Sequence, residues 1–263
     1  MSYFNAALLG ILQGLTEFLP VSSTAHLLIA ERLLGFEDPG GVFTVMIQVG
    51  SILAVMWLYR RKIAAVIGGL PSDSSARGFA LAIVIASIPA LGAGALFSGY
   101  VKSVLYNSVG VFAVAFVVGG ILMLAVERWR PRPDVLDAER TPVTRALGVG
   151  VCQMLALVPG VSRSGATIVG GMLMGIDRAA AAEFSFFLAM PALIAAFGHD
   201  LLDVRTELSA ERAGEIAIGC VAAFVASAAV IRPFLGFVRR SGFAPFAWYR
   251  IALGVVLLVW SRQ

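Results

Sequence analysis

Charge is scarce in this chain. Asp, Glu, Lys and Arg make up 14% of its 263 residues, whereas apolar types make up 59%, and the mean hydropathy is +0.89. Soluble globular domains hold nearer a quarter charged residues, so an ordinary soluble fold is excluded. Cysteine is almost missing as well. Cys152 and Cys220 both lie in apolar segments at a spacing that matches no metal or redox motif, so buried, inert thiols are expected rather than a disulfide framework. The first 31 residues hold no Lys or Arg, and Gln13, Thr16 and Glu17 interrupt the first apolar stretch. A cleavable signal peptide is therefore not expected. The short alternating segments of an outer-membrane barrel are also wanting, because the apolar runs are continuous.

Those runs fall at 43–59, 79–99, 107–126, 179–198, 213–231 and 243–260. Each is long enough to cross roughly 30 Å of hydrocarbon as a helix. They predict an all-α polytopic membrane protein of about six transmembrane helices, with no soluble domain. The few cations then orient it. With the 60–77 segment in the cytoplasm, Arg60, Arg61, Lys62, Arg77, Arg128, Arg130, Arg132, Arg140, Arg145, Arg178, Arg232, Arg239 and Arg240 lie inside. Arg32, Lys102, Arg205, Arg212 and Arg262 lie outside, and Arg163 and Arg250 fall at membrane depth. Thirteen against five satisfies the positive-inside rule. The net charge of +4 thus reports membrane insertion, not a nucleic-acid partner.

An internal repeat sets the organisation. A gapless shift of 140 positions lays Gln13 on Gln153, Val21 on Val161, Ser22 on Ser162, Leu33 on Leu173 and Gly35 on Gly175. Repeat 1 (1–127) and repeat 2 (144–263) would each comprise a polar segment followed by three apolar spans. Three is odd, so the second copy enters from the opposite side, giving an inverted-topology repeat. The polar segments 4–34 and 144–175 read as re-entrant helical hairpins, broken at Pro20 and at Pro159-Gly160, where proline cannot continue the hydrogen-bond ladder. The serines that follow supply N-cap side chains for the next half-helix. The segments 60–77 and 128–143 read as linkers.

Chemistry gathers at the two breaks. Gln13 and Glu17, four residues apart, share a helix face, and Ser22, Ser23, Thr24 and His26 open the half-helix beyond Pro20. At the second break "PGVSRSGAT" (159–167) presents Ser162, Arg163, Ser164 and Thr167 at a helix start. Free N–H groups and the positive dipole end make such a start an anion site, Arg163 adds a fork of donors for phosphate oxygens, and Gly160 and Gly165 permit close approach. Taken singly, the hydroxyls could equally bond their own backbone, and Glu17 with Arg163 could be a structural salt bridge between the hairpins. Charges at that depth are nonetheless functional candidates by default. Together the groups suit a phosphate-bearing lipid: Glu17 for a divalent cation, His26 as general base or acid, and Ser23, on the same helix face as His26, as nucleophile. Gln48, inside an apolar span, could face the cavity or bond a neighbouring helix. Arg250 could touch substrate phosphate or snorkel to the interface. Glu183 is placed near the cytoplasmic end of its helix close to Arg178, and His199 at a span end. A secondary transporter or lipid flippase is the competing reading, since inverted repeats with broken helices suit alternating access.

The motif "QGLTEFLPVSSTAH" resembles the Glu/Gln-x-x-x-Glu segment and following histidine of the bacterial undecaprenyl-diphosphate phosphatase family, also called the bacitracin-resistance protein family. "PGVSRSGAT" is similar to that family's second signature, Pro-Gly-x-Ser-Arg-Ser-x-x-Thr, and the likeness extends through "GGMLMGIDR", "AAEFSFFLAMPA" and "PFAWYRIALG". The resemblance implies an inner-membrane enzyme that hydrolyses undecaprenyl diphosphate to undecaprenyl phosphate and inorganic phosphate, recycling the carrier for peptidoglycan and other envelope polymers. It also implies a Mg²⁺ or Ca²⁺ requirement and a site open toward the periplasm. By position, Glu17 becomes the metal carboxylate, Arg163 the diphosphate clamp, His26 the acid/base and Ser23 the nucleophile; Ser162, Ser164 and Thr167 become phosphate ligands. Many members carry Glu where Gln13 stands, so the motif here holds one carboxylate, with Gln13 a weaker ligand through its carbonyl. Ala25 stands where Gly is frequent. A homodimer is left open.

Overall fold

The computed structural model describes residues 3–38, 41–104, 109–204 and 212–260. Eleven α-helices account for most of these: α1 (Tyr3–Thr16), α2 (Ser23–Leu34), α3 (Val42–Leu58), α4 (Arg60–Gly69), α5 (Ser74–Val104), α6 (Val109–Trp129), α7 (Val143–Gln153), α8 (Arg163–Leu173), α9 (Arg178–Val204), α10 (Ala213–Ser241) and α11 (Ala244–Trp260). Among the described residues β-structure is limited to one isolated bridge, Val135 to Ile176. Helices α5, α6, α9 and α10 each contain a stretch long and apolar enough to cross a bilayer. Helices α3 and α4 together form a fifth candidate, bent by 68°. Helix α11, at 17 residues, is apolar but shorter than α5, α6, α9 and α10. The chain is an all-α, multi-pass membrane protein.

Two segments expected as linkers have structure. Residues 60–69 form α4, and α5 begins at Ser74 rather than 79. Helix-breaking residues are absent from 60–67, and Ile63 and Val66 pack on the main core. The 128–143 stretch is stitched to the turn after α8. Asp134 N donates to Gly175 O at 3.1 Å, and Asp177 N donates to Val135 O at 2.8 Å. Val135 and Ala138 are buried.

Both hairpin breaks occur where the prolines place them. Helix α1 ends at Thr16, whose hydroxyl donates to Leu12 O at 2.6 Å. The chain turns through 17–22 and re-enters helix at Ser23. Helix α7 tightens into a 3-10 turn over Met154–Leu157 before Pro159, and α8 starts at Arg163. Each half-helix is preceded by a serine with positive φ: Ser22 at 68° and Ser162 at 74°. Among the described residues these are the two non-glycine positions with that backbone, a conformation costing on the order of 1–3 kcal/mol that persists only where the surroundings impose it.

Small residues let the helices approach closely, as membrane packing favours. A Cβ on Gly10 would fall 2.3 Å from Gly219 O, and one on Gly150 would fall 2.2 Å from Ala86 O. Thus α1 lies against α10, and α7 lies against α5. Likewise α3 packs on α10 and α9 on α5, while α3 meets α9 and α6 meets α11. The core between them is aromatic near the first break: Phe18 is fully buried, with its ring edge-on to Phe186 at 5.4 Å. Large apolar side chains such as Leu53, Val84, Val118, Val225 and Val256 face outward, as they would toward lipid.

Candidate active site

The two breaks meet at a cavity of about 480 Å³. The first contributes Glu17, Ser22, Ser23 and Thr24; the second contributes Gln153, Pro159, Gly160, Ser162 and Arg163. Gln48 of α3 and residues of α5 and α9, including His199, complete the lining. Pro89 and Pro191 lie inside α5 and α9, one residue before the lining positions Ala90 and Ala192.

Glu17, 8% exposed, is the hub. It follows α1 directly, its N–H still donating to Gln13 O at 3.0 Å. Its Oε1 accepts from Arg163 Nη2 at 3.0 Å. Its Oε2 accepts from Gln13 Nε2 at 3.0 Å and from Ser23 Oγ at 2.6 Å. The expected shared face of Gln13 and Glu17 is therefore realised as a hydrogen bond, although Gln13 stands behind Glu17 and does not border the cavity. Arg163 also donates from Nη1 to Ser185 O at 3.2 Å. Its Nε is buried with no partner among the described residues. This pair links the two hairpins on the cavity wall.

The remaining hydroxyls divide. Ser162 caps α8, its Oγ accepting from Gly165 N at 3.1 Å, whereas Ser22 makes no side-chain cap bond. Ser164 Oγ donates across to Leu19 O at 2.7 Å, joining the two breaks. Thr167 Oγ1 lies 2.9 Å from Arg163 O and 2.6 Å from Ser185 Oγ. Ser164 and Thr167 are buried and lie behind the cavity wall instead of on it.

Two expected site residues face elsewhere. Arg250 is 1% exposed and does not border the cavity. Its Nη1 donates to Pro20 O at 3.1 Å and Val161 O at 3.0 Å, and its Nη2 donates to Ala115 O and Gly160 O, both at 3.0 Å. In this structure it neither snorkels nor reaches the cavity; it fastens the carbonyls of both turns. His26 is also outside the cavity lining. Its Nδ1 lies 2.8 Å from Ser22 O, and its Nε2 lies 2.6 Å from Tyr249 Oη, with the two rings stacked at 5.7 Å. A carbonyl only accepts, so Nδ1 carries a proton, and in the neutral ring Nε2 accepts from Tyr249. The expected Ser23–His26 pairing is replaced by Ser23–Glu17, while both His26 nitrogens are taken by Ser22 O and Tyr249 Oη. Glu183, expected near Arg178, accepts from Lys62 at 3.0 Å; Arg178 pairs with Glu127.

Sequence reasoning passed over Gln153, although its register match with Gln13 was a signal for it. It also passed over His199 as a cavity residue, since nothing local separates a cavity-edge histidine from an interfacial one.

The donor set bears on a cation. Among the described residues no three His, Cys, Asp or Glu side chains gather as a metal group. A carboxylate has about four lone-pair sites, and Glu17 uses three. One position remains, which fits a cation that takes most of its oxygens from a bound phosphate and does not fit a dedicated protein cage.

A multi-pass helical protein with an Arg–carboxylate pair and a serine at a buried double break defines a class of intramembrane site for an anionic headgroup. Residues 6–256 match the family described as bacitracin resistance protein BacA, and the chain belongs to that family. It is 50% identical over 253 residues to "Undecaprenyl-diphosphatase" of Cereibacter sphaeroides, covering 96% of this chain and 94% of that protein. It is 48% identical over 258 residues to "Undecaprenyl-diphosphatase 1" of Agrobacterium fabrum (98% and 96%), and 47% identical over 254 residues to "Undecaprenyl-diphosphatase" of Paracoccus denitrificans (97% and 95%).

Proposed function

We propose that the chain hydrolyses undecaprenyl diphosphate to undecaprenyl phosphate and inorganic phosphate, returning the lipid carrier to peptidoglycan and envelope-polymer synthesis and so giving bacitracin resistance. One observation carries the reading: Ser23, Glu17 and Arg163 meet in a single hydrogen-bonded chain at the cavity wall, in a chain that matches proteins named for this reaction over nearly its whole length. Phosphoryl transfer requires positioning and charge neutralisation above all, and these residues supply both.

The terminal phosphate lies against Arg163 and the Ser162 half-helix start. Ser23 Oγ attacks its phosphorus, passing the proton to Glu17 Oε2, and undecaprenyl phosphate leaves. Water then cleaves the phosphoserine, releasing inorganic phosphate and returning the proton. Glu17 would hold a Mg²⁺ or Ca²⁺ ion, which would supply further charge neutralisation at the phosphate. Thr24, Ser22 and Gln48 border the headgroup, while Gln13 fixes the Glu17 carboxylate. His26 holds the 22–26 turn through Ser22 O. Its acid/base role requires it to leave Tyr249.

The cation asymmetry of the loops supports insertion in the bacterial cytoplasmic membrane with the cavity open to the periplasm. An inverted repeat is supported by the matched serines at 22 and 162 and by the exchange of helix partners, α1 on α10 against α7 on α5. Phosphate release from a polyprenyl diphosphate by the purified protein in detergent, with and without Mg²⁺ or Ca²⁺, tests the reaction. No release under any metal condition, together with movement of labelled lipid across liposomes, would replace the phosphatase with a flippase.

A further inference from the structure

Gln153 ends α7 on the wall of the cavity and is 2% exposed. Its Nε2 and Oε1 are both buried, and neither finds a partner among the described residues. A carboxamide left in this state destabilises the fold unless a ligand completes it. Gln13, 140 positions earlier, shows the alternative use of the same residue: its amide is spent on Glu17. The position that corresponds to Glu17 is Leu157, so Gln153 has no such acid. Arg163, on the same cavity, also keeps an unpartnered buried N–H. An unpaired carboxamide on the same cavity as the Arg163 guanidinium calls for an acceptor-rich, anionic ligand.

We propose that Gln153 is a headgroup-binding residue, its amide N–H groups donating to phosphate oxygens of a diphosphate beside Arg163. The assignment rests on the phosphatase reading above and adds a subsite to it. Phosphate oxygens only accept, and a neutral carboxamide adds two donors without adding charge next to the Glu17–Arg163 pair. Its carbonyl takes a water of the bound headgroup.

The test uses the full-length protein in detergent with two probes. Inorganic pyrophosphate is titrated calorimetrically with and without Mg²⁺, and kcat and KM are measured on a polyprenyl diphosphate. Gln153→Met is expected to raise both the pyrophosphate Kd and the KM by roughly tenfold, the effect of losing hydrogen bonds to a charged group. Its thermal midpoint should stay the same or rise, since an unpaired polar group has been removed. Gln153→Glu should weaken binding further by placing like charge against phosphate. Unchanged Kd and KM in Gln153→Met overturn the proposal, as does a fall in kcat and thermal midpoint at constant KM. Tighter Mg²⁺-dependent binding by Gln153→Glu also overturns it, by making the residue a cation ligand. If wild type hydrolyses no polyprenyl diphosphate, the phosphatase reading fails, while the pyrophosphate titration still decides whether Gln153 binds phosphate.

Discussion

Between Thr16 and Ser23, and again between Leu157 and Arg163, the chain leaves one helix, passes a proline and enters another through a serine at φ 68° or 74°. The two serines share a backbone conformation, but the chemistry around them differs. The first break holds the acid and hydroxyl, Glu17 and Ser23; at the same registers the second holds Leu157 and Arg163. Similar turns with different chemistry place opposite charges face to face, so each break holds what the other lacks. Neither break alone offers a site, because the carboxylate of one is completed by the guanidinium of the other at 3.0 Å.

The largest effect should come from breaking that cross-connection. Glu17→Ala and Arg163→Ala are each expected to lower phosphate release by at least about 10²–10³-fold and stability by roughly 3–5 kcal/mol, because each leaves a buried charge unpaired. The double substitution should regain stability but no activity, read by thermal melts beside turnover. If it regained both, the pair would be only a tie. Ser23→Ala comes next, with turnover falling by about 10²-fold or more from loss of a positioned nucleophile; near-normal turnover would transfer the attack to water. Ser162→Ala, which touches the capping role instead, should cost about 1 kcal/mol of stability with much smaller change in kcat. His26→Gln keeps an N–H for Ser22 O and should retain more activity than His26→Ala; equal losses of about 10²–10⁴-fold would point to proton transfer. Ser22→Gly relieves the positive φ without removing a cap bond and should raise stability by about 1 kcal/mol.

The smallest effect lies outside the membrane segments. Arg145 beside Asp134 holds its carboxyl below the usual carboxylate range. A depressed folded-state value means the contribution is present above the unfolded carboxyl range and is lost as pH falls through the lower, folded value. Asp134→Asn should therefore flatten the acid limb of the stability profile slightly and leave turnover unchanged at neutral pH. A change in turnover would mean that the 128–143 stretch communicates with the cavity.

Much of this was legible in order of residues. Continuous apolar runs located the long helices, and Pro20 and Pro159 located the breaks, because both signals are local. Helix α4 was not legible, since "RRKIAAVIGG" is short and balanced between charge and apolar surface; only its packing on α3 and the core makes it helix. The Glu17–Arg163 pairing could be anticipated from the cost of buried charge. The orientation of His26 could not, because the phenol that holds it lies 223 positions away. Arg250 showed as a charge in an apolar run, but its four acceptors come from three separate segments. Distance along the chain, not weakness of the interaction, hid these contacts.

That guanidinium also has a temporal consequence. Arg250 belongs to α11, which follows the other ten described helices along the chain, yet it holds carbonyls from turns made some 90 to 230 positions earlier. Until α11 is inserted, Pro20, Ala115, Gly160 and Val161 lack the cation that fastens them. The latch thus follows the groups it aligns, and a nascent chain halted before residue 250 has Glu17, Ser23 and Arg163 without the frame that holds their turns.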